Sequence, residues 1–595
     1  MAIKDSINKV NDFLIAKNID AKKFRLILYY SAFLIVFELL AYVIKGPFSI
    51  IASRVWGIGW AICVVSILVL FVRAFIDEIK AKNTLFILSF ILISLFLGHV
   101  FFGQERYINQ DAPQHIAAGL SSFEASDWSY TGQSVLNYQN RQYVLAAIPA
   151  VFLGRTVFAM QLGFAYPLFL GLMLFFVAMR NWAKNKGIHT GFAAVSVSLL
   201  FAFPYLVEYY KFYLEQSILP LSFTLIAIGW LLLLINKTNL LNFFGLMWIC
   251  TMMTNTYTPA LSGLALFIVL FFVLALASKF DIKIFKMDRK YIKDAKKSYF
   301  YRVVPIISVT SIFFVLFTYM FGRGDRLTQL SGGSISESFS RSIDAYKLYF
   351  LSQPAVFTGV LVVFIIAFMI ISLTFRAGAT NFIITGWILG VVGLSTFLKG
   401  YSVYEPRVCM SRCLITIPVT VAAISLIVYH LIKEKKWNVK PFLLMPIVIL
   451  SMSYAFYNAM KPTIQGDSSV YMMSSCLGPL KHLSIDLESS ATKNNISHES
   501  ESLVVLYTNS SWLQSISLVN KFAYPNAKTF FLKSGESLPA EALDILNKNK
   551  GATIYYEENM QLDPALNNIG KRENLEFKFD DGGVYKATRI SVAAS

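Results

Sequence analysis

The strongest constraint in this sequence is a repeated pattern: long apolar runs almost free of charge, closed by short segments rich in lysine and arginine. Such runs occupy residues 26–44, 55–72, 84–102, 156–179, 191–203, 217–235, 240–253, 259–276, 303–320, 355–375, 382–398, 414–432 and 441–457. Most approach the ~20 residues that carry an α-helix across a bilayer. Charged residues make up only 15% of the chain and cluster between the runs, where their insertion cost is avoided. The expected fold is an α-helical polytopic membrane protein of about thirteen spans.

Positive charge sets the orientation. Residues 1–25 read as a cytoplasmic amphipathic segment carrying Lys4, Lys9, Lys17, Lys22, Lys23 and Arg25, with no cleavable signal-peptide pattern. With that end inside, the turn holding Arg73, Lys80 and Lys82 is cytoplasmic, as is the run of nine cations from Lys279 to Arg302. Residues 143–153 are apolar but too short to span and read as an interfacial or re-entrant helix. Residues 26–457 thus form a transmembrane module, and residues 458–595, with soluble composition, fall outside. There, residues 502–508, 528–533 and 552–557 read as strands and 511–522 and 539–549 as helices. That is a small extracytoplasmic α/β domain, closed by a hairpin turning at Asp580 to Gly583. The localisation expected is a bacterial inner membrane.

The net charge of +18 fits cytoplasmic loops and anionic lipid. Nucleic acid is not an expected partner, since no basic stripe is interleaved with stacking aromatics. The five cysteines have no metal spacing. No glycine-rich phosphate loop occurs in the C-terminal domain, so nucleotide binding is not indicated. The sequence names no cofactor and leaves a divalent metal open.

Three polar patches lie on the outer side: the loop 104–155, the segment from Glu208 to Glu215, and the segment from Lys399 to Arg412. Headgroup-level solubility accounts for many of these groups. The first loop stands out because ordered loops of this length are usually functional. Asp111, followed by Pro113, has the form of a helix cap, which is a structural role; a carboxylate at that place can also take a proton from a sugar hydroxyl. His115 follows one turn later on the same helical face, either a plain polar loop residue or a contact for the carboxylate or a phosphate. Trp128 is one of several side chains in this loop of the types that bind sugars and phosphates. Arg141, Arg407 and Arg412 each offer a planar fork to a phosphate, or serve as interfacial anchors. Glu215 opens a span, where the helix dipole favours it. Glu208 is its competitor, and Lys211 can neutralise either. Glu38 is the one carboxylate well inside a run, with His99 at similar depth.

The order Asp111, then Ser126-Asp127-Trp128, then Asn137 and Arg141, a short apolar segment ending Phe152-Leu153-Gly154, and an inward span resembles the GT-C glycosyltransferases. The closest branch in pattern is that of the protein mannosyltransferases and lipid A aminoarabinose transferases. The resemblance covers about Arg106 to Val421. It lacks the Pro-Pro after the cation, and two spans precede the loop where close relatives have one. It implies that Asp111 is catalytic, that Arg141 and Arg407 hold the donor phosphate, and that Glu215 takes the place of a second acid.

The function expected from that resemblance is transfer of a sugar from a polyprenyl-phosphate donor to a surface glycan, lipid or protein acceptor on the outer face. Asp111 would be the base, inverting the anomeric centre. A lipid-linked glycan flippase or transporter is the alternative from another class, and a glycan polymerase the alternative among enzymes. Transporters concentrate ionisable groups at the midplane, whereas here the polar groups lie on one side of the membrane. A membrane-anchored assembly protein acting through its C-terminal domain is a third reading.

Overall fold

The computed structural model describes residues 47–100, 141–154, 157–202, 218–236, 240–254, 439–460, 501–508, 527–548, 550–578 and 584–594. It adds isolated residues between 25 and 37, at 119, and in 418–437 and 483–496. The chain divides into two compact units, one of Met1–Ile93, Pro167–Leu206 and Pro220–Tyr454, the other of Ser94–Tyr166, Val207–Leu219 and Ala455–Ser595. The described part is mostly helical, with a small sheet near the C-terminus.

The helices are α1 (Pro47–Lys80), α2 (Thr84–Gly98), α3 (Arg141–Leu153), α4 (Val157–Lys186), α5 (Gly191–Leu200), α6 (Ile218–Asn236), α7 (Leu240–Thr254) and α8 (Met445–Met460). Among the described residues two helical stretches, Arg54–Lys80 and Leu162–Lys186, are long and apolar enough to cross a membrane, and several shorter apolar helices accompany them. The spans expected at 259–276, 303–320, 355–375 and 382–398 lie outside the described residues.

Two environments distinguish the long helices. α1 buries a stripe of Trp56, Trp60, Cys63, Ile67 and Ala74, spaced by three, four or seven residues, and exposes Ile58, Ile62, Val65, Val69, Val72 and Ile76. Between Arg54 and Arg73 that exposed face carries no charge, which suits hydrocarbon rather than water. Trp56 meets Trp248 of α7 with ring centroids 4.2 Å apart. From Leu168 to Arg180 α4 has no exposed side, with Leu168, Leu174, Phe175, Ala178 and Met179 all enclosed, as befits a helix inside a bundle. α1 runs further than its apolar pattern predicts, to Lys80, because Asp77 and Glu78 are held by Arg180. α5 is shorter than the expected span, ending at Leu200. The last expected span begins as a 3-10 turn, Pro441–Leu444, before α8.

The C-terminal sheet comprises β1 (Leu503–Tyr507), β2 (Lys528–Leu532), β3 (Lys550–Glu557), β4 (Lys571–Lys578) and β5 (Val584–Ala594), with the helix α9 (Ala540–Asn547) between β2 and β3. The spatial order is β2-β1-β3-β5-β4. β1 pairs in parallel with β2 and β3, and β5 runs antiparallel to β3 and β4. All three strands expected from sequence are present. The expected hairpin is the β4–β5 pair, closed at Lys578 opposite Val584, while its turn and the helix expected at 511–522 lie outside the described residues.

The pleat sends alternate residues of β1 to opposite faces. Val504 and Leu506 pack on one face with Leu483, Leu487, Ala491 and Tyr555, where helical residues between 483 and 493 cover the sheet. Leu503, Val505 and Tyr507 pack on the other with Ala542 and Ile545 of α9. A sheet buried on both faces explains why β1 reads as an unbroken apolar run.

Candidate functional site

Arg141 is the first residue of α3, which follows the long polar loop. A proline sits inside this helix: Pro149 has no N–H, so the carbonyl of Leu145 four residues earlier loses its helical donor. The Tyr166 hydroxyl of α4 donates to that carbonyl at 2.9 Å. The helices approach so closely that a Cβ at Gly163 would collide with the carbonyl oxygen of Ala146. Gly154, at φ +87°, makes the turn out of α3 in a conformation that side-chain-bearing residues rarely adopt. The segment expected to be interfacial or re-entrant is therefore a helix whose middle (Val144 to Ala147, and Ala150) is buried and whose end (Val151, Phe152 and Leu153) is exposed. Its base is firmly held, and Arg141 stands at its start.

Of the other residues singled out from sequence, Asp111, His115, Trp128, Glu208, Lys211, Glu215, Arg407, Arg412 and Glu38 lie outside the described residues, as does the side chain of Arg141. His99 is described, half-buried, with its ring centroid 6.5 Å from that of Phe456.

What the helical unit does bring together is a set of basic and polar turns. Glu78 accepts from Arg180 Nε at 2.5 Å, from Asn83 Nδ2 at 2.6 Å and from the Thr190 hydroxyl at 2.8 Å, and Asp77 takes the other end of Arg180 at 3.0 Å. Trp182 donates to the Leu232 carbonyl at 3.0 Å, Asn185 to Asn236, and Asn242 to the Leu233 carbonyl at 3.1 Å. The α1–α2 turn, the α4–α5 turn and the α6–α7 turn are thereby tied at one level. At or beside the first turn stand Arg73, Lys80 and Lys82, at the second Arg180, Lys184 and Lys186, and at the third Lys237, a charge pattern that reads as cytoplasmic. Deeper between helices, the hydroxyls of Ser196, Ser425 and Tyr429 bond one another, at 2.8 Å and 3.2 Å from Ser196. Such bonds join helices without any ionised group.

The sheet unit has its own polar centre. Arg589 of β5, nearly buried, reaches Asp486 on the covering helical residues and Glu573 on β4. The Tyr555 hydroxyl also donates to Asp486, at 3.0 Å. Burial opposes the Arg589 charge, but the Asp486 carboxylate outweighs it and raises its pKa. Lys571 and then Arg589 hold the Glu573 carboxyl below its usual range. This cluster was missed from sequence, although Leu483, Leu487 and Ala491 at intervals of four signalled a helix with a buried face.

Among the described residues no group of three or more histidines, cysteines or carboxylates is arranged to hold a metal ion. No family model matches the chain, and no curated protein matches it in sequence.

Proposed function

We propose that this chain is a polytopic membrane enzyme of about thirteen spans, transferring a sugar from a polyprenyl-phosphate donor to an acceptor glycan, lipid or protein. The face used is the one opposite its basic turns. The observation that supports this reading is sidedness. Three turns rich in lysine, arginine and asparagine are joined by hydrogen bonds into one layer. The sequence assigns the three carboxylate- and arginine-bearing patches to the opposite face of the membrane.

On that face no nucleotide sugar is supplied, so the donor must be activated by its lipid phosphate. Asp111 takes the proton from the acceptor hydroxyl as its oxygen attacks the anomeric carbon, and the bond to phosphate breaks on the opposite side. Arg141 and Arg407 hold the leaving phosphate through planar forks, assisted by Arg412 and Lys211. Glu215, or Glu208 beside it, orients the acceptor; His115 and Trp128 line the sugar.

The decisive variant is Asp111→Asn, which can still cap a helix. Mass spectrometry of the surface glycan should show unchanged protein levels and product reduced by about two to four orders of magnitude. Product at the wild-type level would remove Asp111 from the mechanism.

A further inference from the structure

At the carboxyl ends of the parallel strands the chain reverses its path across the sheet. β2 lies on one side of β1 and β3 on the other. In open sheets of this kind ligands settle where the strand order reverses, beyond the carboxyl ends. At that edge stand Thr508, just past β1, and Glu557, the last residue of β3; the parallel register carries them side by side. The Thr508 hydroxyl donates to Glu557 Oε1 at 2.6 Å, and the Tyr585 hydroxyl approaches the same oxygen at 3.4 Å. Both donors use one oxygen. Among the described residues Oε2 takes none, and Glu557 is half-buried, so a fixed carboxylate presents one open acceptor.

Beside it the rings of Tyr585 and Phe577 lie within 10° of parallel, centroids 6.3 Å apart, both partly exposed. Burial and the nearby Glu557 charge raise the Tyr585 pKa, so its hydroxyl stays a donor at any physiological pH. The segments leaving β2 and β3 add Glu536, Glu558 and Asp563 against the one cation Lys533, a balance that disfavours phosphate or any other anion.

We propose that this edge binds a neutral, hydroxyl-rich ligand, a sugar unit, with Glu557 Oε2 accepting from its hydroxyls and the Phe577–Tyr585 rings bordering its apolar C–H face. Its role as a docking place for the acceptor glycan rests on the transfer reading above; the binding itself does not.

The test is saturation-transfer NMR on the full chain in nanodiscs. Linear hexasaccharides of mannose, of glucose and of N-acetylglucosamine serve as probes, with sialyllactose and spermidine as charged controls. At least one neutral hexasaccharide should bind, about tenfold more weakly to Glu557→Gln. Binding should also weaken in Phe577→Leu, and be unchanged in Glu541→Gln, an exposed site on α9. No binding of any neutral hexasaccharide, unaltered binding in both edge variants, or binding of spermidine alone overturns the proposal. Transfer that persists without oligosaccharide binding removes this site and leaves the transfer reading standing. Glu557-dependent binding with no transfer by the wild type does the reverse.

Discussion

Two arginines, one in each unit, are clamped by carboxylate pairs, and they differ in what surrounds their partners. Arg180 draws both carboxylates from one helix, the consecutive Asp77 and Glu78, and Glu78 is only 2% exposed. Arg589 draws Asp486 and Glu573 from two different elements, and their side chains are 15% and 36% exposed. Glu78 is sunk among helices and takes three donors, from Arg180, Asn83 and Thr190, while Asp77 beside it stays in reach of solvent. Both partners of Arg589 have water within reach. Burial decides the consequence of breaking such a pair, because an abandoned carboxylate is costly only where water cannot replace the lost cation.

That contrast ranks the variants. Arg180→Ala should have the largest effect, a loss of about 3–5 kcal/mol of stability, since Glu78 is left charged and enclosed. Thermal unfolding in detergent would measure it. The double variant Arg180→Met with Glu78→Gln should recover most of the loss; no recovery would mean that the pair works by more than charge. Arg589→Ala should cost less, about 1–3 kcal/mol, read by hydrogen exchange of the sheet amides. A cost equal to that of Arg180→Ala would erase the distinction. Acid sharpens it from another side. Because the folded-state pKa of Glu573 is depressed, its contribution is complete above its ordinary value of 4.5 and is lost as pH falls through the lower folded value. Exchange in β4 should therefore quicken on acidification below about pH 4.5 in the wild type, and less so in Glu573→Gln. The smallest effect belongs to Asp77→Asn, whose side chain is 57% exposed; a change under about 1 kcal/mol is expected.

The sheet was legible where local pattern suffices. The stretch Ser502 to Thr508 is a short β-branched and aliphatic run between polar segments, and it forms β1. Strand order was not legible: β1 stands between β2 and β3 through pairings about 25 and 50 residues away, which no local pattern encodes. Apolar runs located the helices, and the largest misjudgement of length was α1, which overruns the expected 55–72 at both ends, the far one at Asp77 and Glu78. Their charge looks like an exit from the membrane until Arg180, about a hundred residues later, is seen to neutralise it. The Tyr166 bond to Leu145 has a visible clue in Pro149, whose missing N–H predicts an orphan carbonyl, yet its donor is a matter of packing. Of the residues proposed for transfer, sequence order supplied the pattern, and Arg141 is the one whose helix is described.

The strand order also dictates when the C-terminal region can become a solid body during synthesis. β1 is made before either neighbour, its second edge stays open until β3 follows, and the strand that carries Arg589 is the last to appear. Asp486, which that arginine grips, lies 103 residues upstream. The covering helical segment is therefore made early and fastened last. Loop closure of that span delays the gain from its contacts. Until β5 is complete, β3 keeps one edge bare in whatever compartment receives it. A chaperone that shields strand edges would act in that interval, and a chain cut short before residue 589 would never leave it.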